Sequence, residues 1–227
     1  MRYEAILLDF DGLILDTETP LLEEWRIVYG RWGLSLGLEL WQHGVGTKDG
    51  FDPCAHLAAL TGNAFDPVAL RREVQTRYRR RCDAQPLLPG VEAILREART
   101  MGLGTAVASS APETWVEGWL VRHGIRPLFD CVCAREHVDR VKPAPDLFLL
   151  AASKLGVSPA SCVVLEDSPN GVKAARAAGM RCVVVPNDVT RPLRLPDPDL
   201  VVDSLAGQTL TTLLERLETA GGGRLDQ

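Results

Sequence analysis

Short apolar runs, separated by stretches of helical length, constrain this chain more than any other feature of its sequence. The runs are residues 5–8, 103–108, 130–133, 162–165 and 182–185, with 200–202 as an added edge strand. They are short and nearly continuous in apolar residues, the pattern of strands covered on both faces. Between them lie helix-length segments at 91–101, 112–123, 145–155 and 168–178. Strands that alternate with helices build right-handed βαβ units and a parallel sheet. One helix start is explicit. Ser168 is an N-cap, Pro169 fits the first helical position, where a missing N–H costs nothing, and Gly179 stands where the helix stops. The expected class is α/β.

The alternation breaks between Thr17 and Gln85. Segments 20–32, 36–43, 49–60 and 67–82 have helical character, and no strand is expected among them. Trp25, Trp32 and Trp41 all fall in this stretch. Residues 17–85 are therefore expected to form an inserted helical domain, with 86–90 as the return linker. Residues 1–16 and 86–227 make up the core, and the tail 221–227 is expected to fray. A length of 227 residues is enough for one large domain plus such an insert.

Charge and cysteine usage exclude several function classes. The formal net charge is −5, and the basic cluster of Arg72, Arg77, Arg79, Arg80 and Arg81 is local, as expected of one solvated helix face. Nucleic-acid binders draw most of their affinity from a broad basic surface, so no nucleic acid is expected. No apolar stretch approaches the roughly 20 residues that cross a bilayer, so no membrane is expected either. The N-terminus lacks a signal-peptide pattern. The six cysteines, Cys54, Cys82, Cys131, Cys133, Cys162 and Cys182, include no CxxC pair and no zinc spacing. Reduced thiols and a cytoplasmic location are expected.

In an open parallel sheet, ligands bind outside the carboxyl ends of the strands. Four such ends carry chemistry here: Asp9-Phe10-Asp11-Gly12, Ser109-Ser110, Lys142 in the loop after the third strand, and Glu166-Asp167-Ser168. Each alone is ordinary turn chemistry. Together they suit phosphoryl transfer. Converging carboxylates repel unless a cation is present, and hard oxygen ligands suit Mg²⁺. One carboxylate can attack phosphorus, and a second can protonate the leaving oxygen and then deprotonate water. A hydroxyl and an ammonium can hold the phosphoryl oxygens.

These motifs resemble those of the haloacid-dehalogenase-like phosphohydrolase superfamily. Asp9-Phe10-Asp11-Gly12 is similar to its first motif, Val107-Ala108-Ser109 to its second, Lys142-Pro143 to its third and Leu165-Glu166-Asp167-Ser168 to its fourth. The flanking Asp16-Thr17-Glu18 and Lys142-Pro143-Ala144-Pro145-Asp146 are similar to β-phosphoglucomutase-like and phosphoglycolate-phosphatase-like members. The resemblance implies a Rossmann-like core with an inserted α-helical cap. It implies that Asp9 is the nucleophile and a Mg²⁺ ligand, and that Asp11 is the general acid/base with its backbone carbonyl on the metal. Ser109 binds the phosphoryl group, and Lys142 pairs with that group and with Asp9. Asp167 ligates Mg²⁺, with Glu166 reaching it directly or through water. Gly12 lets the chain turn toward the cap.

Dehalogenases of this superfamily lack a carboxylate at the position of Asp11, so Asp11 favours phosphoryl transfer. β-Phosphoglucomutases carry a histidine where this chain has Leu21, and a loop arginine where Lys48 is nearby. Lys48 is a candidate contact to an anionic substrate. The expected activity is Mg²⁺-dependent hydrolysis of a small phosphorylated metabolite, a sugar phosphate or similar phosphomonoester, through an aspartyl phosphate. A β-phosphoglucomutase-like phosphomutase and an inert binding or regulatory protein stay open as alternatives. A monomer or weak homodimer is expected.

Overall fold

The computed structural model describes residues 3–41 and 50–221. Its sheet has six parallel strands: β1 (Ala5–Leu8), β2 (Gly104–Ala108), β3 (Cys131–Cys133), β4 (Cys162–Glu166), β5 (Arg181–Val184) and β6 (Leu200–Val201). Their spatial order is β3-β2-β1-β4-β5-β6. In register, Leu7 lies opposite Ala106 on one side and Val164 on the other. The chain winds outward from β1 to β3, then returns to the far side of β1 with β4. The switch point of the sheet thus lies between β1 and β4, where such sheets form a crevice.

Alternation along each strand explains the unbroken apolar runs. Ile6, Leu8, Val107, Val163, Leu165 and Val183 face one layer, while Leu7, Ala106, Ala108, Val164 and Val184 face the other. The first layer contains α5 (Val91–Thr100), α6 (Glu113–Arg122) and α9 (Leu210–Gly221). The second contains α7 (Asp146–Leu155) and α8 (Pro169–Ala177). Both faces are dry, so neither can alternate with polar residues. Helix α9 has no counterpart among the elements expected from sequence. Its signal is present nonetheless: Leu210, Leu213, Leu214 and Leu217 recur on one face, and all are buried.

Between β1 and β2 the chain forms α1 (Glu18–Gly30), α2 (Leu38–Trp41), α3 (Pro53–Thr61) and α4 (Pro67–Cys82). Two starts have the same device. Asp52 accepts from Cys54 N and Ala55 N, Asp66 accepts from Val68 N and Ala69 N, and a proline follows each. Asp16, just before α1, accepts from Thr19 N in its first turn at 3.1 Å. These helices share an apolar cluster of their own, built on Leu22, Trp25, Val28, Tyr29, Trp41, Leu57, Leu70 and Val74, with Val189 joining from the loop after β5. Helix α4 is tied to α1 by Arg81, which donates to the buried Glu24 and pairs with Glu23 at 2.7 Å.

Five cysteines are buried, Cys131 is half-buried, and all six are free thiols. Among the described residues no helix is long and apolar enough to cross a membrane.

Candidate active site

The four polar strand ends converge at the switch point. Asp9 directly follows β1, and its N–H donates to Leu165 O at 3.0 Å, fixing it against β4. The turn that follows folds tightly, with Gly12 N donating to Leu15 O at 2.8 Å and Ile14 N to Phe10 O at 2.9 Å. Gly12 has φ +84°, and a Cβ there would sit 2.6 Å from Asn187 Nδ2 and overlap Asp167. Only glycine satisfies both conditions.

Lys142 enters from the loop after β3. Its ammonium is buried and donates to Asp9 Oδ1 and, at 2.6 Å, to Glu166 Oε1. The other oxygen of Glu166, Oε2, accepts from Asp167 N at 2.9 Å, Ser168 N at 3.0 Å and Ser168 Oγ at 3.1 Å. Both Glu166 oxygens are therefore engaged within the protein, and the side chain is completely buried. Gly171 makes this arrangement possible: a Cβ there would overlap the Glu166 carboxyl group. Ser168 caps α8 by accepting from Gly171 N at 3.1 Å.

Asp167 Oδ2 accepts from Asn187 Nδ2 at 2.6 Å. Asp11 accepts from Trp115 Nε1 at 3.0 Å through Oδ1, and from Ser109 Oγ at 3.4 Å through Oδ2. Ser109 in turn accepts from Ala111 N at 3.0 Å. Asp9, Asp11, Ser109, Lys142, Glu166 and Asp167 thus meet at one place. Lys48 lies outside the described residues.

Burial pushes the Asp9 carboxyl up to about 8; Lys142 opposes this, while Glu166 and Asp11 add to it. Burial likewise raises Asp11, against the hydrogen bond from Trp115. Asp167 is raised by burial and by the neighbouring Glu166 and Asp9 charges. Burial alone would lower Lys142, but Asp9 and Glu166 outweigh it and hold the ammonium above the usual lysine range. One ammonium among several buried carboxyl groups leaves an acidic excess that a cation would offset.

Carboxyl oxygens of Asp9, Glu166 and Asp167 lie within 4.8 Å of one another. Asp9 uses Oδ1 for Lys142 and Asp167 uses Oδ2 for Asn187, so each has a second oxygen outside those bonds. These are hard oxygen donors, suited to a divalent cation such as Mg²⁺.

Three supporting residues escape sequence reasoning. Asn187 had a usable signal, since it follows β5 at the same sheet edge as the other motifs. Gly171 and Trp115 had none, because each acts across a helix start or helix face that the sequence does not orient.

Residues 3–179 match the family described as haloacid dehalogenase-like hydrolase. The chain is 41% identical over 216 residues to YhcW of Bacillus subtilis (strain 168), covering 95% of this chain and 98% of the relative. It is 37% identical over 187 residues to the fructose-1-phosphate phosphatase YqaB of Escherichia coli (strain K12), covering 81% and 97%. The crystal structure of CbbY from Rhodobacter sphaeroides in complex with phosphate superposes with a TM-score of 0.72 at 29% identity, covering 93% of this chain and 99% of that one. The chain belongs to the haloacid dehalogenase-like hydrolases.

Proposed function

We propose that this enzyme hydrolyses a small phosphorylated metabolite, a sugar phosphate or similar phosphomonoester, by way of an aspartyl phosphate on Asp9. The observation that carries this reading is the buried Asp9–Lys142–Glu166–Asp167 cluster with Asp11 beside it at the switch point of the sheet. The names of its relatives support the substrate class, since YqaB is named for fructose 1-phosphate and CbbY was crystallised with phosphate.

In the first step an Asp9 carboxylate oxygen forms a bond to phosphorus while the phosphorus–ester bond breaks. Asp11 gives its proton to the departing oxygen. Burial raises Asp11, which favours the protonated form this step needs. In the second step Asp11 takes a proton from water, the water oxygen bonds to phosphorus, and the Asp9–phosphorus bond breaks, releasing inorganic phosphate. Lys142 stays beside Asp9 through both steps and offsets charge on the phosphoryl oxygens. Ser109 is the hydroxyl contact for that group. Glu166 holds Lys142 in place through Oε1 while its Oε2 fixes the loop of Asp167 and Ser168.

Asp9 and Asp167, with the backbone carbonyl of Asp11, would hold Mg²⁺, and Glu166 lies close enough to join them through water. Bound there, the cation would neutralise the carboxylates and the incoming phosphate charge. Residues 17–85 serve as a cap that closes over the substrate and excludes water. Leu21 supports hydrolysis over phosphomutase chemistry. It lines a cavity of about 330 Å³ with Glu18, Trp25 and Trp41, and it has no group that can move a proton.

The test is phosphate release from a panel of sugar phosphates with Mg²⁺, set against an Asp9→Asn variant. Turnover no faster than in that variant would overturn the reading. Interconversion of sugar phosphates that depends on a bisphosphate activator, with little phosphate released, would move it to a mutase.

A further inference from the structure

Trp115 lies on α6, one turn into the helix, and its indole N–H is 3.0 Å from Asp11 Oδ1. An indole N–H is a donor with no acceptor capacity, so Trp115 can only occupy a lone pair of that oxygen. The other oxygen, Oδ2, has a longer contact, 3.4 Å, from Ser109 Oγ, which also accepts from Ala111 N. The two oxygens of Asp11 are therefore unequal: Oδ1 has the shorter contact, from Trp115, and Oδ2 the longer one, from Ser109.

The ring that holds Oδ1 is itself held. Tyr78 of α4 stacks on it, with centroids 5.5 Å apart and planes 20° apart. Trp119 meets it edge-on at 5.4 Å. The Arg79 guanidinium lies 5.9 Å from its centroid. Aromatic pairs in these geometries resist rotation of the ring beyond what simple burial provides. Tyr78 belongs to the helical segment between β1 and β2, whereas Trp115 and Trp119 belong to the core, so the stack crosses from one to the other.

We infer that Trp115 is a positioning residue for proton transfer, holding Asp11 Oδ1 so that Oδ2 is presented to the leaving oxygen, with Tyr78 of α4 fixing the indole. This inference rests on the phosphatase reading above, in which Asp11 is the general acid.

The experiment exploits leaving-group chemistry. Phenolate departs poorly without a proton, whereas 2,4-dinitrophenolate departs readily without one, so in the first step only phenyl phosphate needs the acid. The ratio kcat/KM, which reports the first step and not the shared hydrolysis of the aspartyl phosphate, is measured for both phosphates with Mg²⁺ for the native enzyme, Trp115→Phe, Asp11→Asn and the double variant. Trp115→Phe keeps an aromatic ring and removes the donor. Its kcat/KM on phenyl phosphate is expected to fall roughly tenfold or more, as for loss of a hydrogen bond to an ionisable group. On 2,4-dinitrophenyl phosphate the fall should stay under about threefold. In the Asp11→Asn background, Trp115→Phe should slow phenyl phosphate no further, because both changes act on one group.

Equal losses on both substrates in Trp115→Phe, while Asp11→Asn shows the contrast, would overturn the inference and leave the phosphatase reading intact. Absence of the contrast in Asp11→Asn itself would overturn the acid role of Asp11 and the inference with it. If Trp115→Phe does not fold, Tyr78→Leu, which keeps the indole and removes its stacking partner, is measured on the same pair. A contrast there supports the inference, and equal losses overturn it.

Discussion

Asn187 Nδ2 donates to Asp167 Oδ2 at 2.6 Å and to the Gly12 carbonyl at 3.1 Å. One amide thus ties the end of β5 to the end of β4 and to the turn after β1. Its orientation is fixed by its own oxygen, which accepts from Val189 N at 2.9 Å and Thr190 N at 3.0 Å. Partners of this kind tune metal affinity by orienting the ligand carboxylate. Asn187→Ala should raise the Mg²⁺ concentration for half-maximal activity by roughly 10–100-fold. At saturating Mg²⁺ kcat should change far less. Titration of activity with Mg²⁺ checks this, and an unchanged midpoint would count against it.

Gly171→Ala is expected to be far more disruptive than its size implies. The added methyl would overlap a carboxyl group that cannot move aside, because Glu166 is fixed by Lys142, two backbone N–H groups and the Ser168 hydroxyl. In an exposed helix the same change would stabilise by up to about 1 kcal/mol. Here thermal melting should show a lower midpoint and assays a loss of most activity. A melting temperature at or above the native value would contradict the packing described.

Lys142→Met leaves Asp9 and Glu166 facing each other with no cation between them. Breaking a buried ion pair from one side costs about 3–5 kcal/mol. Urea unfolding in EDTA should show a loss of that order, unless the carboxyl groups take up protons first. The loss should therefore shrink as pH falls. Activity should drop by at least about 100-fold at every pH, since no other group replaces the ammonium.

Stability should fall as pH rises when no divalent cation is present. Asp9 has an ordinary carboxylate value of 3.8 when unfolded and about 8 when folded, chiefly through burial. Between those values the folded state binds the proton more tightly, so stability from Asp9 is complete below about 4 and lost as pH passes 8. Glu18, raised to about 7 by burial, contributes with the same sign. Mg²⁺ binds the ionised form and should reverse the trend. Thermal melts in EDTA and in Mg²⁺ at pH 5 and pH 8, for the native enzyme and Asp9→Asn, isolate the effect. The native-minus-variant difference should become less favourable with pH in EDTA, and a difference flat in pH would refute this assignment.

The sequence by itself determined the sheet and the placement of the chemistry. Apolar runs of strand length, helix spacing and the Ser168-Pro169 start are local signals, readable within a few residues of each other. They locate Asp9, Asp11, Ser109, Lys142, Glu166 and Asp167 at strand ends, and a parallel sheet puts strand ends at one edge. Helix boundaries shifted by a few residues, since terminal turns depend on caps such as Asp52 and Asp66. How each side chain is held is decided only by tertiary structure. Both Glu166 oxygens are engaged within the protein, one by Lys142 and the other by the N–H groups of Asp167 and Ser168. Trp115 reaches Asp11 across 104 residues of chain, and Asn187 reaches Gly12 across 175. Such contacts leave no periodic trace, because they depend on which faces two distant elements turn toward each other. Burial, which raises Asp9 and Asp11, is likewise a property of the packed molecule, set by everything that surrounds a carboxyl group rather than by its neighbours in sequence.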